Sequence, residues 1–348
     1  MVHDSQLKAA ERPDNQYDFQ EAFQFVAPIL QEADLAMGNL ELTLPGHPPY
    51  AGYPNFRCPD TLAATLRQAG FDLLVTANNH ANDSGKSGIL HTLEALRQNR
   101  FHYTGTFADS LERERTYPLI VHQKGFKLAI LNYTYGTNNP HIPEPCIVNT
   151  IDTAQWTLDL RRAKAQKPDL IIALLHWGDE YHLDENQEQQ RLTQFLFDGG
   201  ADLIIGAHPH VVQPVKILHH FTESGYRKGL VAYSLGNFIS GQIKKHTDVG
   251  LLLEVHLQRH PLTGRVTLQD HQYIPIWRYR GYTQSGRRWY SIIPVSALEK
   301  APLSWPLSLQ ERSRMMAAVQ PIREHLSRFH SSERVVSLGP WKEPKKEE

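Results

Sequence analysis

Leu203-Ile204-Ile205-Gly206-Ala207-His208-Pro209-His210 is the stretch on which the reading of the fold turns. Its apolar run reads as a buried strand, and it stops on two imidazoles flanking a proline. Four further runs share the design. Leu73-Leu74-Val75-Thr76-Ala77 leads into Asn78-Asn79-His80, and 170–175 leads into His176-Trp177-Gly178. Residues 230–233 lead into Ser234-Leu235-Gly236-Asn237, and Asp34-Leu35-Ala36-Met37-Gly38-Asn39-Leu40-Glu41 closes on a carboxamide and a carboxylate. Helical patterns at 60–69, 88–99, 153–166 and 187–198 separate these runs, the first stopped by Gly70 and the last by Gly199-Gly200. Strands alternating with helices predict an α/β layered fold. In open α/β sheets, ligands bind beyond the carboxyl ends of the strands. The polar endings are therefore predicted to converge on one crevice.

Outward from that centre, 19–33 reads as an amphipathic helix and 127–133 as a strand. After about residue 240 the texture changes. Residues 251–256 and 266–276 alternate in the manner of antiparallel strands, and 308–329 reads as a final helix packed back on the body. The expected division is a main domain over 1–300, a helical extension over 301–335 and a charged, disordered tail over 336–348. The chain has 348 residues, enough to bury a core without disulfide staples. Cys58 and Cys146 offer neither a disulfide framework nor zinc-knuckle spacing, and they could pair or stay free. A net charge of -1 gives no global field for nucleic acid or anionic membrane, so no nucleic acid partner is expected. No apolar run approaches the roughly 18–20 residues of a membrane span, and no signal peptide is recognised at the start.

Nineteen histidines is a high number for this length, which draws attention to where they fall. Imidazole suits zinc, iron and manganese, and a carboxylate can bridge two cations. Each motif alone has a bland reading. His176 could be a packed histidine, Asn78-Asn79-His80 turn chemistry, and Asn39 with Glu41 the end of a strand. Suitable ligands at five separate strand ends together point to a metal site. His182, His219 and His220 lie in polar stretches and read as surface or supporting residues.

Gly38-Asn39-Leu40-Glu41, Ala77-Asn78-Asn79-His80, His176-Trp177-Gly178-Asp179-Glu180, Gly206-Ala207-His208-Pro209-His210-Val211 and Ser234-Leu235-Gly236-Asn237-Phe238 resemble, in order and spacing, the CapA family. That is the bacterial capsule, or poly-γ-glutamate, biosynthesis group of metallophosphatase-like proteins. Residues 132–138 resemble a further family segment. The resemblance covers residues 1 to about 245. It implies a four-layer αββα sandwich of the calcineurin-like phosphoesterase type, with two divalent metal ions (manganese, zinc or iron). It also implies site roles. Glu41 is the bridging carboxylate, Asn79 the amide ligand, and His176, His208 and His210 the imidazole ligands. His80 is the general acid or transition-state stabiliser, and Glu180 a catalytic or substrate-facing group. Asn39, Asn78, Trp177, Ser234 and Asn237 are the expected substrate-binding wall, although Trp177 could stack on substrate or merely pack. Residues 138–145 either line the entrance or form a plain surface loop.

One departure stands out. Family members open with a strand ending in Gly-Asp followed closely by a histidine. Here Met1-Val2-His3-Asp4 resembles the tail of that motif, with His3 as a metal ligand and the strand and aspartate lacking. The expectation is a start placed too far downstream, which the codons before Met1 would test. The resemblance implies a cell-envelope or extracellular home, whereas the sequence alone leaves a cytoplasmic one open. Two functions follow: a hydrolase in which metal-activated water attacks a phosphoester or a polyglutamate-like amide, or a non-catalytic polymer-binding subunit of a capsule synthase complex.

Overall fold

A computed structural model describes residues 1–222, 225–283, 286–301, 307–329 and 331–337, with the backbone alone at 220–222 and 225–226. The apolar runs form a six-stranded sheet in the order Val215–Thr222, Gly225–Ala232, Leu203–Ala207, Leu170–His176, Phe126–Thr134, Leu119–Gln123. Its four inner strands run parallel, and the outermost strand on each side is antiparallel. Parallel strands are covered on both faces, which is why their sequences lack alternation. Ala129, Leu131, Ile171 and Ala173 face Trp156, Leu160, Leu192 and Leu196 of the helices Thr153–Ala165 and Gln187–Asp198. Leu128, Ile130, Ile172 and Leu174 face the opposite way, against Leu73, Val75, Val249, Leu251 and Trp277 of a second β layer.

That second layer has two parts. Met37–Asn39, Leu73–Val75 and His102–Thr104 are parallel, and Val249–Arg259, Val266–Tyr282 and Arg288–Pro294 are antiparallel. Its outer face is covered by Phe23, Leu30, Leu62, Leu66 and Leu96 from helices, which meet Leu74, Ile276 and Ile292. The layers are therefore helix, sheet, sheet, helix, as expected. Among the described residues Met37–Asn39 pairs on one side alone. A cavity of about 640 Å³ runs beside it, reaching Leu128, Leu174 and Leu253, with Glu41, His176, His208 and His210 at its polar end.

Three local differences have physical causes. The pattern at 19–33 is two short helices, Gln20–Phe23 and Ala27–Glu32, the second opened by Pro28, which cannot continue a preceding helix. The final helix is Leu309–Ser327, capped where Ser308 accepts from Glu311 N and Glu311 Oε2 accepts from Ser308 N. It places Met315, Val319, Ile322 and Leu326 in the same apolar cluster as the sheets. Leu119–Gln123, Val215–Thr222, Arg288–Pro294 and the helix Asp4–Ala10 went unread, because short mixed-polarity segments carry no clear period. The tail expected to be disordered lies, from 338 on, outside the described residues. No described helix is long and apolar enough to cross a membrane.

Candidate metal centre

All five polar strand endings meet: Asn39 with Glu41, His176, His208 with His210, and Asn237 line the cavity's polar end, and Asn79 reaches them through His176. Leu40 N donates to Val75 O at 2.9 Å, which holds the end of the Glu41 strand against its neighbour. Glu41 is 7% exposed, and its Oε1 is buried without a hydrogen bond. That oxygen lies 3.5 Å from His176 Nε2 and 4.0 Å from His210 Nε2. His176 Nε2 is 2.9 Å from Asn79 Oδ1, and its Nδ1 is 3.4 Å from Asn39 Nδ2. Asn78 Nδ2 donates to Asn39 Oδ1 at 3.2 Å and to Leu40 O at 2.8 Å, so Asn78 braces the ligand strands. Asn237 Oδ1 sits 3.2 Å from His210 Nδ1 and turns the other ring nitrogen toward Glu41 and Glu180. Ligand atoms of Glu180, His208 and His210 all lie within 4.8 Å of one another.

The histidine pair is held in an uncommon backbone. His208 has φ 104° and His210 φ 60°, a region that costs a non-glycine residue roughly 1–3 kcal/mol. Neighbouring loops over-determine it: Trp177 N donates to Ala207 O at 3.0 Å, and Tyr181 N to Pro209 O at 2.8 Å.

Electrostatics prepares the same groups for a cation. Burial holds His208 down to about 4 and His210 down to about 3. Burial, then the neighbouring imidazoles, holds His176 well below the ordinary range. All three are neutral near pH 7 and keep a lone pair, the form a metal requires. Burial pushes Glu41 up to about 7. His208 Nδ1, like Glu41 Oε1, is buried without a partner, and each orphan costs about 1–3 kcal/mol. A divalent cation satisfies oxygen and nitrogen lone pairs together, so these residues fit one. The Glu41 carboxylate stands between two ligand groups, Asn79 with His176 on one side and Glu180, His208 and His210 on the other.

A proton test follows. The carboxyl pKa is raised, so Glu41 in the metal-free protein carries its proton below about pH 7 and is ionised above it. A cation must displace that proton. Affinity is expected to climb roughly tenfold per pH unit below about 7 and to level off above it. Calorimetric titration in buffers of different protonation enthalpy should find about one proton released near pH 6 and far fewer near pH 8. Equal release at both would remove Glu41 from the ligand set.

Beside the ligands stands a hydrogen-bonded histidine. His80 Nδ1 is 2.7 Å from Asp83 Oδ2, both side chains are buried, and Asp83 also accepts from Phe56 N at 2.6 Å. Asn138 N donates to Asn79 O at 2.8 Å, and Asn138 Nδ2 lies 3.4 Å from His80 Nε2, so the 138–145 segment reaches the site at its first residue. Tyr135, half exposed, stacks on His176 at 6.2 Å and lies 4.6 Å from His208. Tyr135 falls in the 132–138 segment that resembles the family but carries no expected role there, and Asp83 is absent from the expected site. A carboxylate three residues after His80 was the available signal for Asp83.

Other expected site residues lie elsewhere. Trp177 is 1% exposed, its Nε1 donates to Tyr233 O at 3.0 Å, and its ring stacks on Tyr233 in the helix-side core, so it packs. Ser234 is buried and braces the loop, donating to Val211 O at 2.8 Å and accepting from Gly236 N at 3.1 Å. His3 Nδ1 accepts from Gly241 N at 2.9 Å. Its ring touches Phe56, which in turn touches His80, so His3 is one ring removed from the centre. His182 and His219 are exposed, and the His220 side chain lies outside those described.

The chain is a four-layer α/β sandwich with the metallophosphatase-type fold, and imidazole, carboxylate and carboxamide groups gather at its strand ends. The chain belongs to the bacterial capsule synthesis protein PGA_cap family, whose profile matches residues 1–242. It is 28% identical over 256 residues to the capsule biosynthesis protein CapA of Bacillus anthracis, covering 70% of this chain and 59% of that protein. The PGA biosynthesis protein CapA of Bacillus subtilis (strain 168) matches at 28% over 255 residues, 70% of this chain and 62% of the relative. The chain thus spans less than two thirds of these relatives. Among solved structures, the NAD nucleotidase of Haemophilus influenzae superposes on 75% of this chain and 48% of its own. Its TM-score of 0.42 and 14% identity make that likeness too remote to carry an activity across.

Proposed function

We propose that this chain is a metal-dependent hydrolase acting on an anionic polymer or phosphoester in capsule or poly-γ-glutamate biosynthesis, at the cell envelope. The observation that carries the reading is the buried, unbonded carboxylate oxygen of Glu41 beside His176 and His210, next to a histidine already engaged by Asp83. Two divalent ions, of manganese, zinc or iron, would be held by Glu41, Asn79, His176, His208, His210 and Glu180. When bound they supply Lewis acidity and activate water. The protein's own contribution is positional. His80 Nδ1–H donates a hydrogen bond to Asp83, which keeps that proton in place and favours a second proton at Nε2, from where it can pass to the leaving group. Tyr135 walls the crevice, and Asn39 and Asn237 set two imidazole orientations.

Replacing Asp83 with asparagine should slow turnover about 10²-fold while leaving bound metal unchanged, because it acts on the proton carrier, outside the ligand set, and the amide oxygen can still accept from Phe56 N. Steady-state hydrolysis of bis(para-nitrophenyl) phosphate with metal analysis of the same sample reads both. An unaltered rate would remove His80 from proton transfer.

A probable polyglutamine synthesis accessory protein of Mycobacterium tuberculosis (strain CDC 1551 / Oshkosh) is 22% identical over 179 residues, 47% of this chain and 43% of that protein. Its name favours the second reading, a non-catalytic polymer-binding subunit working with a synthase. A panel of phosphoesters and γ-glutamyl amides, run on metal-loaded protein, separates the two. Turnover of any member supports the enzyme, and bound metal with no turnover supports the subunit.

A further inference from the structure

Outside the ligand set, the 239–248 loop carries charge that the proposed chemistry leaves unused. Ile243, Lys244 and Lys245 are exposed, yet the backbone beneath them is pinned. Gly241 N donates to His3 Nδ1 at 2.9 Å, and Gln242 O accepts from the buried Arg278 Nη2 at 2.6 Å. Lys244 O accepts from Thr247 N at 3.2 Å, and Thr247 O accepts from Asn237 Nδ2 at 2.9 Å. A loop held at four points presents its side chains at defined places.

Lys244 uses that definition. Its Nζ lies 3.7 Å from the centroid of the Tyr181 ring, and that ring lies 6.0 Å from the His210 ring. The ammonium is therefore under about 10 Å from a metal-ligand imidazole, since those two lengths end to end bound the path. Tyr181 is fixed in turn. It has φ 68°, and its hydroxyl accepts from Gln242 Nε2 at 3.3 Å. Gln242 Oε1 accepts from Asn237 Nδ2 at 2.9 Å, the residue that orients His210. Among the described residues no salt bridge reaches Lys244, and its contact is aromatic. A cation on an aromatic face keeps its charge available to a ligand while the ring replaces part of its water.

We propose that Lys244, seated on Tyr181, receives a carboxylate of the substrate beside the metal centre and so selects a polyanion with repeated carboxylates. This rests on the polymer-directed reading above. A polymer with one group at the cations would place another anion within reach of Lys244. Lys245, with no such seat, takes no part.

The test is calorimetric binding of short oligo-γ-glutamate to the full chain loaded with manganese(II). Lys244→Gln is expected to weaken binding about fivefold at low salt, Lys244→Glu by more, and the loss is expected to shrink as salt rises. Lys245→Gln should bind as the wild type does. Metal content should be the same in all four proteins. Inorganic phosphate, which goes to the cations, should bind Lys244→Gln and wild type equally. Absence of oligo-γ-glutamate binding by the wild type would overturn the assignment, as would equal affinity for Lys244→Gln. Loss in Lys245→Gln matching that of Lys244→Gln would make the effect general surface charge, and an equal loss for phosphate would make the receptor one for phosphate. Wild-type turnover of the panel of phosphoesters and γ-glutamyl amides reports the hydrolase reading separately. Polymer binding through Lys244 without turnover fails that reading and keeps this one, and turnover without polymer binding does the reverse.

Discussion

His208→Ala is expected to strip bound cation from the centre and to cut hydrolysis by more than about 10²-fold. Losing a group that merely supports a ligand typically costs about 10–100-fold in metal affinity or activity, and His208 is proposed as a ligand itself. Its Nδ1 is buried without a partner, and its ring lies 4.9 Å from His176 and 5.9 Å from His210. Alanine removes the donor but meets the same φ of 104°, so it gains no backbone relief. The fold should survive, because His208 lies outside the apolar clusters. Metal analysis of the purified variant beside the wild type decides the matter. Full cation occupancy in His208→Ala would exclude His208 as a ligand.

The second large effect concerns Trp177. Trp177→Ala is expected to cost about 3–5 kcal/mol of stability, the usual range for deleting a buried tryptophan. The side chain is 1% exposed among Tyr233, Leu192 and Leu196, and its Nε1 satisfies Tyr233 O. A cavity and an orphaned carbonyl would remain. Trp177→Phe keeps most of the packing and should lose less. Urea unfolding reads the stability, and KM on any substrate found reads recognition. A raised KM with an unchanged unfolding midpoint would return Trp177 to the substrate wall.

Trp177 also shows why part of the site was legible and part was not. Polar groups at the ends of apolar runs could be read directly, because parallel strands deliver their carboxyl ends to one edge. Glu41, Asn79, His176, His208 and His210 meet for that reason. Which neighbour faces the crevice was harder. Side chains alternate across a strand, so Trp177, one residue after His176, goes to the helix side. Ser234 likewise turns back to Val211. His3 was placed by analogy of motif, but its position depends on Gly241, 238 residues away, a contact no local pattern records. The seat of Lys244 on Tyr181 was equally hidden, because it needs a left-handed residue and a loop pinned from the second sheet. Asp83 was within reach of the reading, since a carboxylate three residues after a histidine is a local signal. In the fold, the break in 19–33 was foreseeable from Pro28, whereas the antiparallel outer strands lacked a period strong enough to separate them from loop.

Glu41, Asn79, His176, His208 and His210 are proposed to hold cations together in one crevice. Anomalous scattering from crystals of the full chain loaded with manganese(II) tests this most directly. Peaks within bonding distance of Glu41, His176 and His210, and of His208, are the predicted result. Strong peaks elsewhere on the protein, with none against Glu41 or His208, would contradict it.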